Sequence, residues 1–389
     1  MKIELKYGCN PHQRPANVSF PGTSAPLQVL NGAPSYINFL DALGAWQLVR
    51  ELRQATGKPS AASFKHTSPA GAAVAQPLDE TFCRSQMLPE EPLSPVATAY
   101  ARARGGDRMS SFGDAIAVSD EVDASLAHLI RREVSDLIIA PAYEKEALDI
   151  LKSKRGGGYR IFQIDPDYQP PEPESRELFG FTLSQPRNAA RIDADLFRNI
   201  VTRQKLIPDT ALETLIVATI ALKYTQSNSV CVAYHGQVIG SGAGQQSRVH
   251  CTRLACDKAD KWLLQQHPRV RDLVFVDGLT RAERTNVVDQ FLLWDELAEA
   301  EREAAQAQLK HVPDPLSAEE RQAWIERFDG VCLSSDAYFP FRDSIDRASR
   351  SKVQYLAQPG GSLRDDEVTA AADQYGMVMA RTGLRLFLH

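Results

Sequence analysis

No stretch of this 389-residue chain approaches the roughly 20 uninterrupted apolar residues that a membrane-spanning helix needs, so no membrane span is expected. The opening residues Met1-Lys2-Ile3-Glu4-Leu5-Lys6 hold no apolar signal core. Excess charge of one sign is also lacking. The formal net charge of −5 provides no bulk basic field for nucleic acid, although 44 Lys and Arg leave room for a local anion site. Cysteine is sparse: Cys9, Cys83, Cys231, Cys251, Cys256 and Cys332 are scattered, which points to reduced thiols in a cytoplasmic protein rather than a disulfide frame. Cys251 and Cys256, beside His250, have no second ligand pair nearby, so a structural zinc is not expected. A triphosphate-cradling Gly-x-x-x-x-Gly-Lys-Ser/Thr loop, a dinucleotide fingerprint and a repeat of fixed period are all missing. What remains, 43% apolar and 24% charged, is ordinary for a soluble globular protein of two or three packed units.

Residues 35–52 read as an amphipathic helix, with Phe39, Leu43, Trp46 and Val49 recurring at steps of four and three. Residues 134–140 are a short apolar run bounded by Pro141, and residues 159–164 are another; a helical pattern from Glu144 to Leu151 lies between them. This rhythm argues for α/β layers. Prolines and charges over 166–190 suggest a surface connection between a first unit, 1–165, and a second, 191–389. The second opens with Thr210-x-x-Glu213, a capping-box pattern, and carries a hairpin signal at His235-Gly236. From about 280 to 330 the chain is rich in charge and helix formers, as in a solvated helical arm or insertion, with a second capping box at Ser317-x-x-Glu320. Residues 331–335 read as a strand entering the loop 336–343.

Four segments could carry chemistry. Ser63-Phe64-Lys65-His66-Thr67-Ser68-Pro69-Ala70-Gly71 sets a cation beside an imidazole at the mouth of a strand that Pro69 is expected to stop. Adjacent strand residues face opposite ways, so Lys65 and His66 serve one site only if the chain bends there. The plain alternative is a surface lysine and a hydrogen-bonded histidine. Thr225-Gln226-Ser227-Asn228-Ser229 offers five polar side chains at a helix–strand junction, as a ligand site or a capped turn would. The glycine-rich turn 240–247 leads into a helix whose first amides and Arg248 could hold an anion. Residues 334–343 mix aromatics with carboxylates, a combination that can stack on a flat heterocycle and read its N–H donors.

Lys6-Tyr7-Gly8-Cys9-Asn10-Pro11-His12-Gln13, Phe64-Lys65-His66, Lys223 to Ser229, Gly244 to Arg248, Ser335-Asp336 through Asp343 and Leu384-Arg385-Leu386-Phe387, taken in order, resemble the AICAR transformylase family. The resemblance runs nearly end to end and is weakest near 75–95 and 280–330. It implies two related cytidine-deaminase-like α/β/α subdomains and a homodimer with sites near its interface. It also implies formyl transfer from 10-formyltetrahydrofolate to the 5-amino group of AICAR, the aminoimidazole carboxamide ribonucleotide. A nucleotide- or folate-binding sensor that has lost efficient transfer is the alternative.

By the same resemblance His66 is the base, Lys65 stabilises the transition state and Asn228 is a further polar partner of the transferring group. Lys6, Tyr7, Asn38, His66, Gly113, Asp136, Asn228 and Arg248 form the nucleotide set. Val249, Tyr338, Asp343, Ser362, Leu363 and Arg385 form the folate side. Thr225, Ser227, Ser229 and Asp336 would lie about a potassium ion. Three departures stand out: Lys6 where the family usually has arginine, Tyr338 for phenylalanine, and Leu388 for a frequent histidine. Lys6 replaces a bidentate fork with a point charge. The cyclohydrolase domain that precedes the transferase in the family is not in this sequence. Either a separate IMP cyclohydrolase closes the ring, or the sequence is a piece of a longer chain.

Overall fold

The computed structural model describes residues 2–20, 22 and 24–389. Two strands, β1 (Lys2–Leu5) and β2 (Ala16–Ser19), pair antiparallel at the N-terminus. The first half then runs β3 (Leu27–Asn31), α1 (Tyr36–Thr56), β4 (Ser60–Lys65), β5 (Ser68–Val74), α2 (Glu80–Ser85) and α3 (Pro95–Gly105). It continues through β6 (Asp114–Val118), α4 (Ala124–Arg131), β7 (Ser135–Ala140), α5 (Lys145–Ser153) and β8 (Arg160–Ile164). An exposed hairpin follows, β9 (Pro173–Leu178) and β10 (Phe181–Pro186). The second half comprises α6 (Asp209–Lys223), β11 (Val230–Tyr234), β12 (Gln237–Gly242), α7 (Arg248–Leu264), α8 (Pro268–Arg271), α9 (Arg281–Leu292) and α10 (Glu299–Gln306). Then come α11 (Ala318–Ile325), β13 (Val331–Ser335), α12 (Asp343–Arg350), β14 (Val353–Gln358), α13 (Asp365–Gln374) and β15 (Val378–Arg381).

Eleven strands form one mixed sheet in the order β15-β14-β13-β11-β12-β5-β4-β6-β7-β8-β3. Five strands of each half follow the same order, and β3 adds an antiparallel edge strand beside β8 in the first half. A hairpin (β4–β5, β11–β12) pairs antiparallel with a third strand, and two parallel strands follow. The halves join where β12 meets β5, Gln237 opposite Ala73. One apolar cluster fills the sheet face under α1 and α6; the other face is covered by α3–α5 in the first half and by α7, α9, α12 and α13 in the second. Helix and strand approach closely at glycines. A Cβ on Gly71 would stand 2.0 Å from the carbonyl oxygen of Ala103, and one on Gly240 would stand 2.1 Å from that of Ala255. Among the described residues no helix is long and apolar enough to cross a membrane.

Several expectations change. Helix α1 starts from the Ser35–Asn38 capping box and runs past Leu52 to a left-handed Gly57. Its buried stripe passes through Phe39, Ala42, Ala45, Trp46 and Val49; the small residues face the strands and leave Leu43 outside. The Thr210–Glu213 box does not form: α6 begins after Pro208, and Glu213 reaches across to Lys58 at 2.6 Å and Gln76 at 2.8 Å. The 280–330 region is no solvated arm, because Phe291, Trp294, Leu309, Leu316 and Ile325 are buried in the second-half core and the Trp324 indole donates to the Leu263 carbonyl at 2.9 Å. The Ser317–Glu320 box is present.

The helical segment also locks onto the first half. Buried Glu133 meets Arg281 of α9 at 2.8 Å, Arg104 at 3.1 Å and Arg108 at 3.1 Å, and Arg281 donates to the Met87 carbonyl at 2.7 Å. Burial alone would raise the Glu133 carboxyl from 4.5, but Arg108, Arg104 and Arg281 outweigh it and hold it at about 2. A depressed native value means stabilisation that is complete above the ordinary carboxylate range and lost as pH falls through the native value. Chemical denaturation across pH 2–5 is therefore expected to show stability falling with acid, and Glu133→Gln to cost about 3–5 kcal/mol at neutral pH while flattening that fall.

Candidate functional site

The strand carrying Lys65 does not end at a proline. Chain direction reverses at His66 and Thr67, whose φ angles are 54° and 60°, and β5 runs back through Pro69. Positive φ at both central residues is the pattern of a type I′ hairpin turn, whose twist matches that of the flanking strands. Pro69 is tolerated because the register shifts there: Phe64 opposes Pro69 while Ser63 opposes Gly71, a bulge that leaves no ladder bond for the missing N–H. The turn is pinned from below. Asp41 of α1 is 7% exposed, and its Oδ1 accepts the Thr67 backbone N–H at 2.7 Å.

His66 stands exposed at this tip, and the half-buried Lys65 ammonium donates to the Phe112 carbonyl. Gly113 follows with φ 78°, beside Asp136, whose carboxylate pairs with Arg155 at 2.9 Å. Asn38 is buried one turn before Asp41, with its amide oxygen committed to the Ser35 cap. Lys6 is exposed, and Tyr7 lies under the Arg14 guanidinium at 6.0 Å. A cavity of about 510 Å³ opens there, lined by Gly8, Gln13, Arg14 and Tyr36 among others.

The second cluster is tied to the tip through Ser68, whose hydroxyl accepts the Gln226 N–H at 3.2 Å. At its centre is fully buried Asp336. Oδ2 accepts from the Ser227 hydroxyl at 2.6 Å and from the Ser229 N–H and hydroxyl at 2.9 Å each, while Oδ1 faces the Arg248 guanidinium at 2.5 Å. Arg248 also donates to the Ser229 carbonyl at 2.7 Å and to Asn228 Oδ1 at 3.0 Å; the Asn228 amide donates to the Gln245 carbonyl at 2.9 Å. The charge of Arg248 is thus met inside the protein; residues 240–242 belong to β12, and the turn 243–247 leads into α7 without a side-chain cap. Ser227, Ser229 and Asp336 gather an all-oxygen donor set, the kind a hard cation takes. Thr225 turns away, donating to the Ala221 carbonyl at 2.7 Å.

The C-terminal tail docks on this cluster. Leu386 N–H donates to the Asp336 carbonyl at 2.9 Å, and Leu388 N–H to the Ser227 hydroxyl at 3.0 Å. Arg385 lies over the Phe387 ring at 4.9 Å. Val249 is the second residue of α7; Tyr338 is exposed on the loop after β13, and Asp343 is exposed where α12 begins. That loop meets the Ser362–Leu363 turn through Arg364 over the Phe341 ring, 5.0 Å away. A cleft of about 540 Å³ lies beside it, lined by Gly360, Gly361, Arg381 and Arg191 among others. Neither cavity includes Lys65 or His66.

Sequence reasoning missed Asp41, Ser68, Phe112 and Gln245. Only Asp41 left a signal, as a carboxylate interrupting the apolar stripe of a helix. The other three act through backbone groups or a common serine.

Comparison with known proteins is consistent from end to end. A family model described as AICARFT/IMPCHase bienzyme matches residues 1–258. The chain is similar to the bifunctional purine biosynthesis protein PurH of Roseobacter denitrificans, 31% identical over 391 residues, covering 99% of this chain and 59% of that protein. It is equally similar to PurH of Cereibacter sphaeroides, 31% identical over 389 residues with the same two coverages. The chain thus spans 59% of the length of these relatives.

Because Asp336 is the only carboxylate facing buried Arg248 among the described contacts, Asp336→Ala should leave a stranded guanidinium and cost about 3–5 kcal/mol in urea unfolding. Adding Arg248→Met should recover part of that loss.

Proposed function

Because the chain belongs to the AICARFT/IMPCHase bienzyme family, we propose that it transfers the formyl group of 10-formyltetrahydrofolate to the 5-amino group of AICAR, in purine biosynthesis. The observation that carries this reading is the hairpin tip: Lys65 and exposed His66 occupy one reversal of the chain, joined through Ser68 to the Asn228–Arg248–Asp336 cluster.

The AICAR amine is a poor nucleophile, since its lone pair is delocalised into the ring and carboxamide. As its nitrogen bonds to the formyl carbon it must lose a proton, and His66 accepts that proton. Negative charge grows on the formyl oxygen, and the Lys65 ammonium stabilises it, with Asn228 as the neighbouring polar group. The bond from the formyl carbon to N10 of the folate then breaks, and N10 takes up a proton. The products are formyl-AICAR and tetrahydrofolate. A positioned base contributes roughly 10²–10⁴-fold, and one oxyanion donor about 2.7–4 kcal/mol.

Lys6, Tyr7, Asn38, Gly113, Asp136 and Arg248 are proposed to hold the nucleotide, and Val249, Tyr338, Asp343, Ser362, Leu363 and Arg385 the folate. A potassium ion would be held by Ser227, Ser229 and Asp336 and would supply fixed positive charge beneath the site. The working unit is proposed to be a homodimer. This is supported by an apolar row on the outer face of α1, Tyr36, Ile37, Leu40 and Leu43, exposed beside a reactive tip that lies outside both cavities.

Mixing the purified chain with AICAR and 10-formyltetrahydrofolate should yield tetrahydrofolate and formylated nucleotide in equal amounts; tight AICAR binding without transfer would favour the sensor reading instead. His66→Ala should lower kcat about two to four decades with thermal stability little changed, and an unaltered kcat removes His66 from the mechanism. Lys65→Met should also be slow while still binding AICAR, and normal turnover rejects its electrostatic role.

A further inference from the structure

Among the described residues, three two-residue hairpin turns have positive φ at both positions: Phe179-Gly180, His235-Gly236 and His66-Thr67. The first two place glycine second, where positive φ is free of steric cost. The third has Thr67 there, a β-branched residue for which that conformation is a genuine outlier. Left-handed backbone is unfavourable for an L-residue, and such strain persists only where the surroundings over-determine it. The restraint comes from the Asp41 carboxylate, accepting the Thr67 N–H at 2.7 Å.

An asparagine at position 41 could accept the same N–H without the cost of burying a charge. The residue is nevertheless a carboxylate, on the buried face of α1 between Phe39, Ala42 and Ala45. Burial raises its carboxyl above the ordinary range, against the opposing pull of the Thr67 N–H and of nearby His66. The other charged group acting on it is Asp136 of β7, paired with Arg155; Lys65 precedes His66 at the end of β4. The negative charge is therefore the feature that hydrogen bonding alone leaves unexplained.

We infer that Asp41 is the positioning residue of His66: it fixes the strained turn through Thr67, and its charge stabilises the imidazolium formed when His66 takes the amine proton. The inference rests on the formyl-transfer reading for that proton's source. Imidazolium stabilisation by a buried carboxylate is the role that the aspartate plays in a Ser-His-Asp triad.

Asp41→Asn separates the two roles, since it keeps the acceptor for Thr67 and removes the charge; Asp41→Ala removes both. In steady-state kinetics Asp41→Asn is expected to lower kcat about tenfold, leave both KM values within about twofold, and move the acid limb of the kcat–pH profile to lower pH. Asp41→Ala should be slower still. A kcat and pH profile in Asp41→Asn equal to wild type overturns the inference, as does a loss confined to KM. Diethyl pyrocarbonate labelling of His66, read by mass spectrometry across pH, tests it without reference to formyl transfer. The pH of half-modification should be lower in Asp41→Asn than in the unaltered protein, and coincident curves overturn the inference. An unaltered protein that transfers no formyl group but shows that shift sinks the functional reading alone.

Discussion

The geometry of the site hangs on one backbone feature: the two-residue reversal between β4 and β5, in which both residues take positive φ. That reversal takes the adjacent lysine and histidine out of strict strand alternation. On a straight strand their side chains would diverge to opposite faces. Here Lys65 is the last strand residue and His66 the first of the turn, so one reaches the Phe112 carbonyl while the other stands free at the tip. Thr67 bears the steric cost, and the helix beneath holds it in place.

The repeated topology explains why a second cluster lies within reach. The two hairpins pair antiparallel across the middle of the sheet, Gln237 opposite Ala73, so the start of β11 and the end of β12 arrive beside the start of β5. Gln226 can then donate to Ser68, and the Asn228–Arg248–Asp336 network sits next to the tip. The other hairpin turn, His235-Gly236, falls at the opposite end. There Arg102 donates to the carbonyls of both His235 and Val74, and the Gly236 N–H is taken by Thr214. One fold element, used twice, is open at one end of the sheet and sealed at the other.

Two buried carboxylates, each met by arginine, tie the elements around the site together. Asp336 draws the 226–229 loop, the start of α7 and the C-terminal tail onto one carboxylate. Glu133 does the same for α3, the loop after it and α9, which is why the helical segment packs as core despite its polar composition. Each hub is costly to desolvate and is stable only as a complete set, so each specifies one arrangement of the elements around it.

Local signals settled much of this protein in advance. Apolar runs marked β7 and β8, periodicity and caps marked α1 and α11, and His235-Gly236 marked a hairpin, because each depends on neighbours a few residues away. The motifs around Lys65, Asn228 and Arg248, taken together, made the family equally legible. Only the tertiary structure decided that Pro69 lies inside a strand, that Leu43 faces outward, that Glu213 leaves its cap for Lys58 and Gln76, and that Asp41 supports the tip. Those outcomes depend on which partner a polar group meets once distant segments pack, and a backbone amide or carbonyl acting as that partner leaves no mark in the order of side chains.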